Sequence, residues 1–329
     1  MPRAVVAFDK FRGTATAGEL VAVAVERLTA ADWSSDQAPL ADGGEGSLAV
    51  LGGPNKFTVV TDPLGDPVEA GWRLDGREAF IEMSAASGLS LVGGPTANDP
   101  LSADTFGTGE LIAKAVELGA RRIVVLLGGS ATTDGGFGAL RAMPPAPRLK
   151  EIELIVACDV RTLFTDAARD FGAQKGASPA QIKLLTGRLE RLVQVYRDSY
   201  GCDVASVIGA GAAGGLAGGL VAVGARVESG FDVLAERIEL DRLLNGAQLV
   251  VTGEGYLDAE SFNGKVVGGV ATWAAAEGVP VLAIVGDRDP DVPIPAHVRL
   301  VSLVERFGSE AAFNRTLELV GQVVTDSVS

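Results

Sequence analysis

The sequence predicts an α/β protein built from two α/β domains, and three observations carry that prediction. Short β-branched apolar runs alternate with helix-period segments near both ends of the chain, whereas residues 56 to 92 read as short strands separated by tight turns. Forty-three glycines against 5% aromatic content fit many close strand-to-helix turns better than an all-β sandwich, which draws on more aromatics. With 329 residues and 47% hydrophobic content, the chain can fill two cores or one large one.

The elements follow in order. AVVAFD (4 to 9) is a strand, and the helix after it opens on the capping-box pattern Thr16-x-x-Glu19 with an apolar face of Leu20, Val21, Ala24 and Leu28. KFTVVTD, PVEAGWRL, REAFIEM and GLSLV then read as antiparallel strands joined through PLGD and DG turns. A helix over about 107 to 118 leads through Gly119 into RRIVVLLGG, a buried strand ending in a glycine loop, and ELIVACD (153 to 159) is a second such strand. Ser178-Pro179-Ala180-Gln181 starts a helix that should run to Gly201, with Ile182, Leu185, Leu189, Leu192, Val193 and Tyr196 facing the core. From about 232 the β-α rhythm returns in QLVVTGEG, KVVGGVATWAAAEG, VPVLAIVGD and LVSLV. The expectation is therefore a parallel, flavodoxin- or Rossmann-like sheet domain from residues 1–55 and 232–329, with 56–231 inserted as a mixed α/β domain.

A net charge of −14 argues against a general nucleic-acid or anionic-membrane surface, since both ask for a basic face. Cys158 and Cys202 form neither a metal spacing nor a disulfide framework, which favours a reducing compartment. The opening MPRAVVAFDK lacks the layout of a secretory leader, and no apolar run approaches the ~18 residues of a membrane helix, so the expected location is cytoplasmic. His297 is the one histidine, which leaves acid–base work to carboxylates and lysines.

Packing a core does not explain PLADGGEGS (39 to 47), where two carboxylates sit among three glycines. Glycine lets backbone approach a ligand closely, and carboxylates hold hard cations such as Mg²⁺, so the mixture points to phosphate with metal; the plain reading is a turn. The mixture recurs as TTDGGFG (132 to 138) and TGEGYLD (252 to 258). The carboxylates available at the ends of expected strands are Asp9, Asp42, Glu45, Asp134, Asp159, Glu254 and Asp258; the cations are Lys10, Arg12, Lys175 and Lys265; GGSATTDGG and GAGAAGG offer anion-cradling backbone. Taken singly, each charged residue reads equally as a solvated group or a cap. No GxxxxGK[ST] is present. A literal G-x-G-x-x-G stands at Gly209, Gly211 and Gly214, with Glu228 beyond it, as a dinucleotide site would want; against it, Gly218 and Gly219 each cost roughly 1 kcal/mol inside the required helix.

The ordered series of these motifs resembles the glycerate kinase type I family over essentially the full length. FDKFRG resembles the family opening D-S-F-K-G; PLADGGEGS, TDPLGDPV, EMSAASGL, TFGTGELI, GGSATTDGG, ACDV, FGAQKGA, GAGAAGG and TGEGYLD with Gly264-Lys265 correspond to the others. The resemblance implies ATP- and Mg²⁺-dependent phosphorylation of D-glycerate, most simply to 2-phosphoglycerate, by two α/β domains with the active site in the cleft between them. It implies a catalytic pool of Asp42, Glu45, Asp134, Glu254 and Asp258, with metal at Asp42, Asp134 and Asp159. Substrate and phosphate contacts fall to Asp9, Lys10, Arg12, Gly43, Gly44, Gly129, Ser130, Lys175, Gly211, Gly214 and Lys265. The partner is a small molecule, with neither nucleic acid nor membrane expected, and a homodimer stays open. Lys10, Arg12, Tyr256, Glu260 and Ser261 depart from the family pattern, and the chain is shorter near PPAPRL (144 to 149) and near Leu163 to Ala167. Two rival readings stand at this point: a NAD- or FAD-type oxidoreductase built on GAGAAGG, and a family member that binds its ligand without turning it over.

Overall fold

The structure is a computed structural model, and it describes residues 1–262 and 264–328; Ser329, the last residue of the expected sheet domain, lies outside them. Eleven strands among these residues, β1 Arg3–Phe8, β2 Ser34–Gln37, β3 Lys56–Thr61, β4 Pro67–Asp75, β5 Glu78–Glu82, β6 Arg122–Leu126, β7 Glu153–Ala157, β8 Arg226–Glu228, β9 Leu249–Leu257, β10 Val281–Arg288 and β11 Val298–Ser302, form two sheets. One belongs to each of two compact units, Met1–Asp42 with Gly230–Ser329, and Gly43–Ser229.

In the first unit the order β11-β10-β9-β1-β2 is parallel throughout. Counted within this unit alone, that is the flavodoxin-like order 2-1-3-4-5, whose switch point lies between β1 and β9. The order in which strands are added therefore reverses between these two strands, with Asp9 immediately after β1 and Glu254 on β9. The helix Ala17–Ala30 forms because Thr16 and Glu19 close the expected capping box: the Glu19 N–H donates to Thr16 Oγ1 (3.3 Å), and the Thr16 N–H donates to the Glu19 carboxylate (2.9 Å). Its Leu20, Val21, Ala24 and Leu28 pack with Val320, Val323 and Val324 of the C-terminal helix over one face of the sheet. The helix Val266–Ala276 packs against β9, β10 and β1, and His297 contributes a structural contact from Nε2 to the Ala271 carbonyl (3.0 Å).

The second unit holds a mixed sheet, β3-β4-β5-β6-β7-β8, antiparallel across its first three strands and parallel across the rest. Trp72, Ile81, Met83, Leu111, Ile112, Ile123, Val125 and Leu216 fill one core; Phe164, Leu185, Leu189 and Tyr196 fill another. The helix Pro179–Tyr200 starts on its capping box at Ser178 and Gln181 and stops at Gly201, whose φ of 69° closes the last turn. Residues 43–55 belong to this second unit and not to the first as expected, because the short helix at Ser47–Val50 packs on β5, with the Leu48 N–H donating to Glu82.

GLSLV is not a strand. A helical turn at Ser84–Ser87 turns the chain, Gly88 makes one bridge to Ser130, and the Leu89 N–H donates to the Gly129 carbonyl (2.8 Å). The apolar residues that read as a strand instead clamp the loop after β6.

Candidate active site

A cavity of about 510 Å³ opens at the carboxyl ends of the parallel sheet in the first unit. Seven of the expected site residues line it: Asp9, Lys10 and Arg12 after β1, Asp42 after β2, Glu254 and Asp258 from β9 and the turn that follows it, and Lys265 at the start of the next helix. Strand register explains their level. Phe8 pairs with Gly253, which sets Asp9 beside Glu254, and the approach is tight enough that a Cβ on Gly253 would stand 1.8 Å from the Ile284 carbonyl.

The electrostatics of this cavity are unusual for a set of carboxylates. Burial and the neighbouring Asp42 push Asp9 up to about 6, against the pull of the Lys10 N–H, which donates to it at 2.7 Å. Glu254 is only 7% exposed, and burial raises it to about 7, with Ser261 and Lys265 holding it down and Asp9 and Asp258 adding to the rise. Its Oε1 has no hydrogen-bond partner among the described residues. Partial burial works against the charge on Asp258 too, but Lys265 (3.3 Å), the Glu260 N–H (2.9 Å) and Ser261 hold its carboxyl below the usual range. Asp258 is thus the settled partner of a lysine, and Glu254 the poised group.

The remaining expected residues belong to the second unit, where three glycine loops meet. The loop 128–136 follows β6; a Cβ on Gly128 would stand 2.6 Å from the Glu45 nitrogen, and one on Gly214 would stand 1.9 Å from the Thr132 carbonyl. Gly44 and Glu45 therefore lie against Gly128 and Gly129, Gly214 lies against Thr132 in the same loop, and Ser130 stands between these contacts along the chain. Gly211 is held by its N–H on the Thr162 carbonyl (3.0 Å), and Asp159 follows β7. Gly43 is the first residue of this unit.

Two residues take roles other than those expected. Asp134 accepts from the Thr105 N–H (3.1 Å) and hydroxyl (2.8 Å), the Gly136 N–H (3.1 Å) and the Gly138 N–H (2.9 Å), so both carboxylate oxygens are occupied within the protein. Burial pushes its carboxyl up while these donors pull it back. Through these bonds Asp134, expected among the metal ligands, ties the start of the helix Phe137–Ala142 to that of Phe106–Glu117. Lys175, expected on a phosphate or carboxylate, is 2% exposed and donates to the Thr132 carbonyl at 2.7 Å. Burial brings it down to about 7, with Asp134 opposing. The dinucleotide reading of GAGAAGG fails on context, since a 3₁₀ turn at Val204–Ser206 precedes it where a strand is required.

Thr14, Asp287 and Phe313 line the cavity without having been expected. Asp287 carries the same signal as Asp9, an acid where an apolar strand run gives out. Phe313 comes from a helix carrying none of the motifs, and nothing near it signals a site.

The sequence profile of the glycerate kinase family matches residues 4–146 and 144–326, the two pieces meeting inside the shortened PPAPRL segment. The chain belongs to the glycerate kinase family. It is 38% identical to the glycerate 2-kinase of Escherichia coli K12 over 94% of this chain and 89% of that one, and 36% identical to the glycerate kinase of Bacillus subtilis 168 over 87% and 85%. A solved structure assigned as glycerate kinase 2 from Salmonella typhimurium LT2 superposes with a TM-score of 0.82 at 33% identity, covering 99% of this chain and 97% of that one. This member of the family is accordingly a kinase that phosphorylates glycerate, a small-molecule substrate, and no helix of its described residues is long and apolar enough to cross a membrane.

Proposed function

We propose that this glycerate kinase transfers the γ-phosphoryl group of ATP, in the presence of Mg²⁺, to O2 of D-glycerate, giving 2-phosphoglycerate in the cytoplasm. The observation that carries the reading is the cavity of the first unit, which joins three cations to a buried carboxylate whose Oε1 has no partner among the described residues. Phosphoryl transfer needs cations for charge, a base or positioning group for the hydroxyl, and strict alignment, with little covalent work for the protein. The name of the Escherichia coli relative, glycerate 2-kinase, supports O2 as the acceptor. Two cysteines that remain unpaired support a reducing compartment.

Among the described residues no group of three or more His, Cys, Asp or Glu side chains is arranged to hold a metal. Mg²⁺ is commonly held by one or two carboxylates together with substrate phosphates, and Asp9 with Asp42 fits that use. Both present hard oxygens to one cavity and repel each other there, a cost that a divalent cation removes. When bound, the ion neutralises charge on the transferring phosphoryl group. Arg12, Lys10 and Lys265 hold the anionic groups of the substrates, Arg12 as a planar fork and the lysines as point charges. Glu254 accepts the proton of the attacking hydroxyl at Oε1, and a carboxyl raised to about 7 is well matched to that transfer near neutral pH.

Asp42→Asn is expected to cut turnover at least a hundredfold while leaving the melting temperature within a few degrees, because charge is lost at the cavity without a core contact. Near-normal turnover removes Asp42 from the site. The acceptor oxygen is read by incubating the enzyme with D-glycerate, Mg²⁺ and ATP, then adding enolase without phosphoglycerate mutase and following phosphoenolpyruvate by absorbance. A signal without mutase supports O2. A signal only after mutase is added points to O3 and overturns the regiochemistry while sparing the kinase.

A further inference from the structure

The lining of the first unit's cavity changes along the strand order. All its cations and most of its carboxylates stand over β2, β1 and β9; β10 adds Asp287, and the helices that follow β11 add the apolar Val304, Ala312 and Phe313 with the uncharged Ser309 and Thr316. Two large aromatic rings are left open at this end: Tyr256 is 54% exposed and Phe313 is 63% exposed. Tyr256 pairs in register with Asp287 across β9 and β10, so their side chains leave the sheet on the same side, at neighbouring-strand distance of roughly 4.8 Å. Glycerate, small and polar throughout, has no face to lay on an aromatic ring. A nucleoside has both an apolar, stackable base and hydroxyls that a carboxylate recognises.

Building on the kinase reading above, we propose that the nucleoside half of the nucleotide binds at the β10–β11 end of this cavity, its base against Tyr256 and Phe313 and a ribose hydroxyl on Asp287. The phosphates then extend along the sheet top toward Lys10, Arg12 and Lys265, and the acceptor is left the end over β1 and β2. A volume of about 510 Å³ is in the range of sites that enclose a ligand of this size. Tyr256 and Phe313 are specificity residues in this arrangement, since neither reaches the reacting oxygen.

The test compares Phe313→Ala, Tyr256→Ala and Asp287→Asn with the wild type, after thermal melts confirm folding; the exposure of the two rings makes a large loss of stability unexpected. Truncating a ring that stacks on a base is expected to raise the KM for ATP, and the calorimetric Kd for Mg-ATP, roughly tenfold or more. The KM for D-glycerate and inhibition by inorganic tripolyphosphate, which lacks a nucleoside, should stay within twofold. Asp287→Asn should erase any preference for ATP over 2′-deoxy- and 3′-deoxy-ATP. A rise in the glycerate KM alone, equal losses toward tripolyphosphate and ATP, or no change in any constant overturns the subsite while leaving wild-type turnover, and so the kinase reading, intact. A wild-type protein that binds no Mg-ATP in the calorimeter overturns both.

Discussion

Replacing Glu254 with glutamine is expected to lower kcat at least a hundredfold and, at pH 8, to raise the melting temperature. The kinetic loss follows from its place. Glu254 ends the continuous buried run Val250–Glu254 of β9 at the switch point of the sheet, lines the cavity, and presents an Oε1 with no partner among the described residues. A positioned base contributes typically ~10²- to 10⁴-fold. Glutamine keeps the size and removes the basicity. The gain in stability follows from the raised carboxyl. In the folded protein Glu254 holds its proton up to about 7, whereas the unfolded chain releases it near 4.5, as an ordinary glutamate does, so between these pH values the folded state binds more protons. Stability therefore falls as pH rises through this window and stays lower above it. A displacement of this size corresponds to roughly 3 kcal/mol at pH 8, and at ~2–4 °C per kcal/mol for a unit of this size the variant should melt several degrees higher. Near pH 4.5 the two proteins should melt alike. The ascending limb of kcat/KM near pH 7 should vanish in the variant. Full turnover, or a lower melting temperature at pH 8, removes Glu254 from this role.

The parallel sheet of the first unit was legible because each of its signals is local. AVVAFD, QLVVTGEG and VPVLAIVGD are apolar runs ending in glycine or acid, and the capping boxes at Thr16 and Ser178 fix their helices without help from distant residues. Once these strands are parallel, their carboxyl ends must lie on one side, which is why Asp9, Asp42, Glu254, Asp258 and Lys265 line one cavity; the sequence pools them with Glu45, Asp134, Asp159 and Lys175, which belong to the other unit. GLSLV misled for the opposite reason. Its alternation suits a strand, but Gly88 and Leu89 are recruited by the loop after β6, a partner 40 residues away. Residues 43–55 changed unit through contacts with β5 that local pattern does not encode.

Within the site, charge type was legible and engagement was not. The sequence shows that Asp134 and Lys175 are ionisable; it does not show that Thr105, Gly136 and Gly138 donate to the carboxylate of one, or that the Thr132 carbonyl accepts a hydrogen bond from the other. Satisfaction of a buried polar group depends on which loops meet, and here the three loops come from residues far apart in the chain. Phe313 shows the same limit for an apolar residue, since exposure at a cavity wall follows from packing that its helical context does not reveal.

Asp134→Ala separates a structural carboxylate from a chemical one, and the expected result is a large loss of stability. Three backbone N–H groups and the Thr105 hydroxyl lose their acceptor, and Thr105 also accepts from the Ala139 N–H at 3.0 Å, so the joint between two helix starts loosens as a unit. Each unsatisfied buried donor costs about 1–3 kcal/mol, not additively, and breaking a buried charged network typically costs about 3–5 kcal/mol. Lys175, buried nearby with its charge favoured by Asp134, loses that support in the same step. A fall in melting temperature of roughly 10 °C is expected at neutral pH, read by scanning calorimetry. Asp134→Asn keeps the shape and one acceptor oxygen but turns an NH₂ toward donors, so it should fall between the wild type and the alanine variant. Asp42→Asn, by contrast, should lose turnover and keep its stability. If Asp134→Ala melts with the wild type while kcat drops a hundredfold or more, the hydrogen bonds around Asp134 carry little stability, and the carboxylate belongs to the chemistry after all.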